Sequence, residues 1–206
     1  MSILTQLDKT VFDWINTGWS CSILDFVMPL ITHLGDSYAV WLWIVFIGLV
    51  TGWQLVHLSK TNQETGRKRK LFIAIGFFCL YMALIFGVNT GVYTGLKHFF
   101  HRYRPLVQHN AIIRVSKAAA SGLSHTGSFP SGHACNAFML AVIFASRFWK
   151  KRYFFYGLAA MVAISRVYLG VHYPSDVIMG SLLGLTITSL MLSFVNPPEM
   201  ALSQRL

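Results

Sequence analysis

Long apolar runs divide the chain into candidate membrane spans. The two longest runs cover residues 38–58 and 71–96, and shorter runs follow at 131–149, 153–171 and 177–195. About 20 predominantly apolar residues form a helix that crosses the hydrocarbon core of a bilayer. The pattern therefore predicts an all-α membrane bundle with about five spans.

Residues 1–35 follow a different pattern. One apolar stripe recurs at every fourth position, at Ile3, Leu7, Val11 and Ile15, which is typical of an amphipathic helix lying on a membrane surface. The next apolar run, 21–34, contains Asp25 and is too short to cross a bilayer alone. We therefore expect interfacial helices over residues 1–35, with one tilted sixth span as the alternative.

Composition supports a membrane protein. The 206 residues are 54% hydrophobic and 12% charged, with a mean hydropathy of +0.53, whereas a soluble domain carries about 25% charged residues. We interpret residues 1–206 as a single membrane-embedded domain. The net charge is +10, but the basic residues cluster between the apolar runs, which argues against nucleic acid as a partner.

The distribution of Lys and Arg predicts the orientation. Five spans place segments 59–70 and 147–152 on the same side as the C-terminus, with ten basic residues on that side and seven on the other. Because cytoplasmic loops carry an excess of Lys and Arg, we place these two segments in the cytoplasm and the 97–130 loop outside. His172 then also lies outside, since one span separates it from segment 147–152.

Segment 165–176 places a base and an acid at the start of a helix. Pro174 suits the first turn of a helix, so we expect His172 just ahead of that helix and Asp176 in its first turn. The carboxylate can then reach one imidazole nitrogen while the other points outward, an arrangement that activates a nucleophile or a general base. Taken alone, the motif also fits a surface histidine near a helix cap.

Two cations occur at the end of the second long run. Lys97 and Arg104 are seven residues apart, so they lie on one side of a continuing helix, which Pro105 then ends. Two cations without a neighbouring acid favour an anion with several oxygens. The alternative is a helix end anchored in lipid headgroups.

A third polar cluster precedes the run at 131–149. Ser131 is a good N-cap, and Gly132 allows a ligand to approach the backbone, where the free N–H groups of a helix start favour phosphate. His133, in the first turn, could donate a proton to a departing oxygen. The alternative is a capped helix with a buried histidine.

Together the three clusters resemble the type 2 phosphatidic acid phosphatase family, whose relatives include the vanadium haloperoxidases. The family pattern reads Lys-x6-Arg-Pro, Pro-Ser-Gly-His and Ser-Arg-x5-His-x3-Asp, and it is present without substitution at residues 97–105, 130–133 and 165–176. The catalytic motifs thus lie within residues 97–176.

The resemblance implies a catalytic role for three residues. His172 attacks phosphorus to form a phosphohistidine, Asp176 holds the tautomer of His172, and His133 protonates the leaving oxygen and then helps to activate water. The phosphoryl oxygens are held by a further set of residues, namely Lys97, Arg104, Arg166, Ser131 and the N–H of Gly132.

The resemblance also implies a substrate class and a location. The substrate is a lipid phosphate or pyrophosphate in the bilayer, such as undecaprenyl pyrophosphate, phosphatidylglycerol phosphate, phosphatidic acid or a phosphorylated lipid A. Three cations can stabilise the transferred phosphoryl group without a metal or other cofactor, and the chain contains only seven acids in total. We expect a bacterial inner-membrane protein whose site faces the periplasm.

Two alternatives come from other functional classes. A vanadate-dependent peroxidase would use the same pocket, although a multi-span architecture argues against it. A non-catalytic transporter or scaffold would place ionisable residues along a membrane pathway, whereas here they gather at one end of the spans.

The loop 106–129 holds two cations that the family pattern leaves unassigned, Arg114 and Lys117. One interpretation is a solvated loop that is attracted to anionic headgroups. The other is that both residues contact the rest of the substrate headgroup, such as a second phosphate.

Overall fold

A computed structural model describes residues 3–58 and 64–194, and those residues form helices and loops without a β-strand. The α-helices within these ranges are α1 (Ile3–Asn16), α2 (Ser22–Thr32), α3 (Ser37–Leu58), α4 (Glu64–Phe100), α5 (Pro105–Gln108), α6 (Lys117–Ser124), α7 (Gly132–Arg147), α8 (Arg152–Tyr168) and α9 (Pro174–Phe194). Short 3-10 turns at His33–Gly35 and Trp149–Lys151 precede α3 and α8.

The five predicted spans correspond to α3, α4, α7, α8 and α9, with shifts at their ends that have local causes. α8 ends before residue 171 because Gly170 adopts a φ of +79°, a left-handed conformation that commonly ends helices. α9 begins at Pro174, whose fixed φ and missing N–H suit a first turn. Residues 59–63 and 195, which belong to the predicted basic segment and the last predicted span, lie outside the described residues.

The protein is an all-α membrane bundle, but few of its helices are long by themselves. Length and hydropathy qualify Ile75–Gln108 and Pro174–Phe194 as spans, and a third candidate is the pair Ser22–Gly35 and Ser37–Val50, which meet at a bend of 63°. α7 and α8 have only 16 and 17 residues, at or below the short end of the roughly 17–25 residues that cross a bilayer. Within the described residues, length and hydropathy thus support two or three crossings by themselves, whereas the sequence predicted about five spans.

The N-terminal region forms two separate helices. α1 buries Phe12 and Ile15, whereas the apolar side chains of Ile3, Leu7 and Trp14 are exposed, so only part of the predicted apolar stripe packs on the bundle. α2 meets α3 at the 63° bend. If residues 22–35 belong to a membrane span, that span is a broken one that continues into α3.

α7 occupies the centre of the bundle and packs against α4, α8 and α9. Two glycines of α9 allow a close approach, because a Cβ atom at Gly180 or Gly184 would collide with the carbonyl oxygens of Ser131 and Cys135. The contact fixes the beginning of α7 against the first turns of α9. The Pro-Ser-Gly-His motif and the His-x3-Asp motif therefore adjoin.

The close approach of α7 and α9 predicts that Gly184→Ala destabilises the protein. Alanine at an open helical site stabilises by about 0.5–1 kcal/mol relative to glycine, but an added methyl in a tight contact costs about 1–3 kcal/mol. We expect a lower thermal midpoint for Gly184→Ala in detergent. Gly157→Ala on α8 is the matched control, since a Cβ there meets nothing within 4 Å. Equal midpoints for the two variants would contradict the packing argument.

Candidate active site

The loop between α8 and α9 presents His172 at the end of the bundle. The backbone N–H groups of Val171 and His172 donate to the carbonyl oxygen of Arg166, at 3.2 and 3.3 Å. Gly170 makes the turn possible, because a Cβ atom there would be strained and would lie 2.7 Å from the carbonyl oxygen of Ile112. His172 is consequently almost fully buried, with 1% of its surface exposed.

Asp176 lies beside His172, as expected, but at more than hydrogen-bonding distance. Oδ2 of Asp176 is 3.5 Å from Nδ1 of His172, and Nδ1 has no hydrogen-bond partner among the described residues. We describe the contact as an electrostatic one, because 3.5 Å is long for a hydrogen bond. Asp176 instead accepts hydrogen bonds from the Ser128 hydroxyl, from the N–H of Tyr173 at 2.8 Å and from Arg102 at 2.7 Å.

Arg104 contacts the other nitrogen of the His172 ring. Its Nη1 lies 3.0 Å from Nε2 of His172 and 3.0 Å from the carbonyl oxygen of Val171. Because a guanidinium only donates hydrogen bonds, Nε2 is an unprotonated acceptor in this arrangement. Burial lowers the pKa of His172 well below its ordinary value, and the positive charges of Arg104, Lys97 and Arg166 lower it further.

Lys97 and Arg104 converge on the segment that precedes α7. Lys97 Nζ donates to the carbonyl oxygen of Gly127 at 2.8 Å. Arg104 donates through Nε to the carbonyl oxygen of Thr126 at 3.2 Å and through Nη2 to the Thr126 hydroxyl at 3.0 Å. Protein oxygens thus occupy donors that a phosphoryl group would otherwise use.

Arg166 approaches from the end of α8. Its Nη1 donates to the hydroxyl of Thr32 at 2.7 Å, and its buried Nε has no hydrogen-bond partner among the described residues. A buried guanidinium with an unused donor is costly without an anion. This residue therefore has a free donor for a phosphoryl oxygen.

The start of α7 brings the remaining motif residues to the same place. Ser131 caps the helix through a long contact of 3.5 Å with the N–H of Ala134, and its own N–H donates to the carbonyl oxygen of Asp176 at 2.9 Å. Gly132 lies against the ring of Tyr93, since a Cβ atom there would be 3.1 Å from that ring. The glycine is therefore needed for packing as well as for any approach of a ligand.

His133 makes a contact that the sequence did not reveal. Its Nε2 lies 2.7 Å from Oδ1 of Asp36, and Oδ2 of the same carboxylate lies 2.7 Å from Nδ1 of His33. Asp36 stands directly before α3, where an acid is a common helix-start residue. A helix-start role explains Asp36 without any partner, so the sequence offered no reason to look for His133, which is 97 positions away.

Arg102 is a second residue that sequence reasoning missed. Its Nη1 donates to Asp176 at 2.7 Å and to the Ser175 hydroxyl at 2.6 Å, and its Nη2 lies 2.6 Å from Asp8 of α1. The guanidinium also stacks 4.3 Å from the centre of the Tyr173 ring. Its position within the Lys-x6-Arg-Pro motif could have indicated a role at the site, but the motif does not distinguish Arg102 from the other basic residues around it.

Arg114 makes structural contacts that the sequence did not reveal, and it also lines a cavity together with His133 and Arg166, so the headgroup contact considered from the sequence stays a prediction. Its side chain is mostly buried and donates to Asp25 at 2.6 Å, to the Ser20 hydroxyl at 2.8 Å and to the carbonyl oxygens of Asn16 and Tyr168 at 2.8 and 3.0 Å. These contacts tie the loop to α1, α2 and α8. Lys117 stands exposed at the start of α6, away from this network.

Two cavities flank the segment at Thr126. One, of about 550 Å³, includes Thr32, Asp36, His133 and Arg166 in its lining. The other, of about 430 Å³, is lined by basic and polar side chains, among them Lys97, His98, His101, Arg102 and His125. Thr126 borders both cavities, and it is also a hydrogen-bond partner of Arg104.

Comparison with known proteins identifies the family. A family model described as the PAP2 superfamily matches residues 74–198, which is more than half of the 206-residue chain. Phosphatidylglycerophosphatase B of Bacillus subtilis is 32% identical over 182 residues, which are 83% of this chain and 75% of that protein. A lipid A 1-phosphatase of Rhizobium johnstonii is 29% identical over 75% of this chain, and the match spans 61% of that protein's length.

A solved structure agrees with this relationship. The transmembrane PAP2-type phosphatidylglycerolphosphate phosphatase from Bacillus subtilis matches with a TM-score of 0.65 at 26% identity, over 94% of this chain and 87% of that one. The family match also contains all three sequence motifs. This chain belongs to the PAP2 superfamily.

Proposed function

We propose that this membrane protein, a lipid phosphate hydrolase of the PAP2 superfamily, acts through a phosphohistidine on His172. The observation that carries the proposal is the buried, unprotonated Nε2 of His172 beside Arg104, with Lys97 and Arg166 acting on the same ring. A neutral imidazole nitrogen is a nucleophile, and fixed cations stabilise the charge that a transferred phosphoryl group carries.

The three cations hold the phosphoryl oxygens in this mechanism. Arg166 offers its unpartnered Nε, whereas Lys97 and Arg104 exchange their hydrogen bonds with Thr126 and Gly127 for bonds to the substrate. The charges of the phosphate and the cations compensate each other at a site with little water. Phosphoryl transfer requires mainly this positioning and charge stabilisation.

His133 completes the first half of the reaction. As the bond between Nε2 of His172 and phosphorus forms, the bond from phosphorus to the lipid oxygen breaks, and His133 gives that oxygen a proton. In the second half, His133 takes a proton from water, which attacks phosphorus and releases phosphate from His172. Ser131 and Gly132 support the phosphoryl group at the start of α7, where helix N–H groups favour an anion.

The surroundings of the site suit a lipid. An apolar groove of about 420 Å³ lies between α3, α7 and α8, and its lining extends from Leu34 and Val162 to Phe148 and Lys151. The end of the groove at Leu34 is next to Gly35, which packs against His133 and Val162. A headgroup in the cavity at His133 and a hydrocarbon chain in this groove would leave the phosphate ester at the motif residues.

The proposal also covers which lipids can be substrates and which side of the membrane the site faces. Phosphatidylglycerol phosphate, phosphatidic acid, undecaprenyl pyrophosphate and phosphorylated lipid A all contain the required ester or anhydride. The positive-inside distribution favours a bacterial inner membrane with the site facing the periplasm, which would give the enzyme access to envelope lipids.

Phosphate release by purified protein in detergent, measured over a panel of these lipids, tests the function. We expect His172→Ala to abolish turnover and Asp176→Asn to leave weak residual activity, because a nucleophile is indispensable and an orienting group is partly replaceable. His109→Ala, which changes a histidine bound to Asp13 on the same membrane face, is the control. Turnover by His172→Ala at the rate of the wild type would exclude this nucleophile.

Chelation and vanadate test the proposal that side chains alone stabilise the phosphoryl group. We expect full activity in excess EDTA and competitive inhibition by vanadate, because vanadate can adopt the geometry of the transferred phosphoryl group. The initial rate of phosphate release gives both results. Loss of activity on chelation that Mg²⁺ restores would show that a metal takes part.

Cysteine labelling tests the orientation. We expect a cysteine at Ser121, on the loop beside the site, to react with a membrane-impermeant maleimide on intact cells, and a cysteine at Thr65 to react only after lysis. The expectation follows from the distribution of basic residues. The reverse pattern would place the reaction at the cytoplasmic leaflet.

A further inference from the structure

Asp36 is fixed at the bend that joins α2 and α3. The bend is held on α7, because Nδ2 of Asn136 donates to the carbonyl oxygen of Gly35 at 3.0 Å. Gly35 itself leaves no space for a side chain, since a Cβ atom there would lie 2.9 Å from the carbonyl oxygen of His133. The carboxylate of Asp36 therefore has a defined place beside the His133 ring, with its side chain 20% exposed.

The carboxylate is ionised and shared between two histidines. Burial would raise the pKa of Asp36, but hydrogen bonds from His133 and His33 outweigh it and hold that pKa well below its ordinary value. Oδ1 faces Nε2 of His133 and Oδ2 faces Nδ1 of His33, both at 2.7 Å. Tyr38 adds a further hydrogen bond to the carboxylate.

The charges around His133 have opposite effects on its proton. Burial disfavours a proton on the ring most strongly, and the like charges of Arg166 of α8 and Arg104, just ahead of α5, add to that effect, whereas Asp36 is the acid that favours the proton. A proton on an imidazole near two guanidiniums is unfavourable unless an anion compensates it. Asp36 provides that anion in direct hydrogen-bond contact.

The geometry points to Asp36 as a positioning residue that orients His133 and favours its protonated form as the acid for the leaving group. The inference rests on the proposed function, in which His133 donates that proton. Nε2 of His133 is bound to Asp36, so the other ring nitrogen, Nδ1, is the one that can serve the substrate. The ring also lines the 550 Å³ cavity, where a headgroup would lie.

The proton balance assigns each nitrogen of His133 one task. Nε2–H remains with Asp36, while the Nδ1 proton passes to the lipid oxygen as its bond to phosphorus breaks. His133 is then neutral and can accept a proton from water at Nδ1. Asp36 stays ionised throughout and does not contact the reacting atoms.

Leaving-group dependence separates this role from a structural one. An alkoxide is a poor leaving group and needs a proton, whereas 4-nitrophenolate leaves as a stable anion without one. We expect Asp36→Asn to lower kcat/KM for phosphatidic acid by about 10²-fold or more, the usual contribution of a general acid. With 4-nitrophenyl phosphate, kcat/KM should change by less than about threefold.

A matched control is available on the same membrane face. Asp13→Asn breaks another Asp–His pair, in which Asp13 lies 2.7 Å from His109, away from the motif residues. In this variant, kcat/KM should change by the same factor for phosphatidic acid and for 4-nitrophenyl phosphate. Equal losses of kcat/KM on both substrates for Asp36→Asn, or no loss, would overturn the inference.

A double mutant keeps the inference testable if Asp36→Asn reduces the yield of folded protein. Addition of Asp36→Asn to His133→Gln should change kcat/KM for phosphatidic acid by less than about threefold, because residues that act as a unit are not additive. A full additional loss would mean that Asp36 does not act through His133. Absence of phosphate release by the wild-type protein would instead refute the proposed function.

Discussion

Two buried arginines and one half-buried lysine surround a single imidazole, and much of the end of the bundle is arranged to make this possible. Arg104 and Arg166 are 4% and 5% exposed, and Lys97 lies close enough for its charge to act on His172. Like charges that are withdrawn from water repel each other and lose hydration. Carbonyl and hydroxyl oxygens of Gly127, Thr126, Val171 and Thr32 compensate part of this cost. A bound phosphoryl group would supply the missing negative charge.

The N-terminal helices contribute most of the acids at this end of the bundle. Four aspartates there, at positions 8, 13, 25 and 36, each contact a basic side chain from a later part of the chain, namely Arg102, His109, Arg114 and His133. Individual surface ion pairs contribute little to stability, but here they also set positions. Asp8 supports Arg102, which in turn holds Asp176 next to His172. Through Asp8 and Asp36, the first 36 residues therefore support motif residues of the later helices.

Close packing fixes the relative position of the two motif histidines, His133 and His172. Gly180 and Gly184 allow the backbone of α9 to lie against the beginning of α7, and the N–H of Ser131 bonds to the carbonyl oxygen of Asp176. Because interiors respond to the addition of even one methyl group, this contact sets the distance between the motifs that contain His133 and His172. Positioning of this kind contributes a large part of the rate of phosphoryl transfer.

The sequence by itself determined the helical class, the approximate places of the five helices α3, α4, α7, α8 and α9, and the three motifs, because apolar runs, prolines and fixed spacings act locally. It also placed Asp176 beside His172, since both lie within one short segment. Only the tertiary structure decided that Arg102 binds Asp176, that Arg114 is committed to Asp25, and that Asp36 meets His133. These pairs are separated by 74 to 97 positions, and a local pattern of charges does not select among several possible partners. The choice depends on how the helices pack.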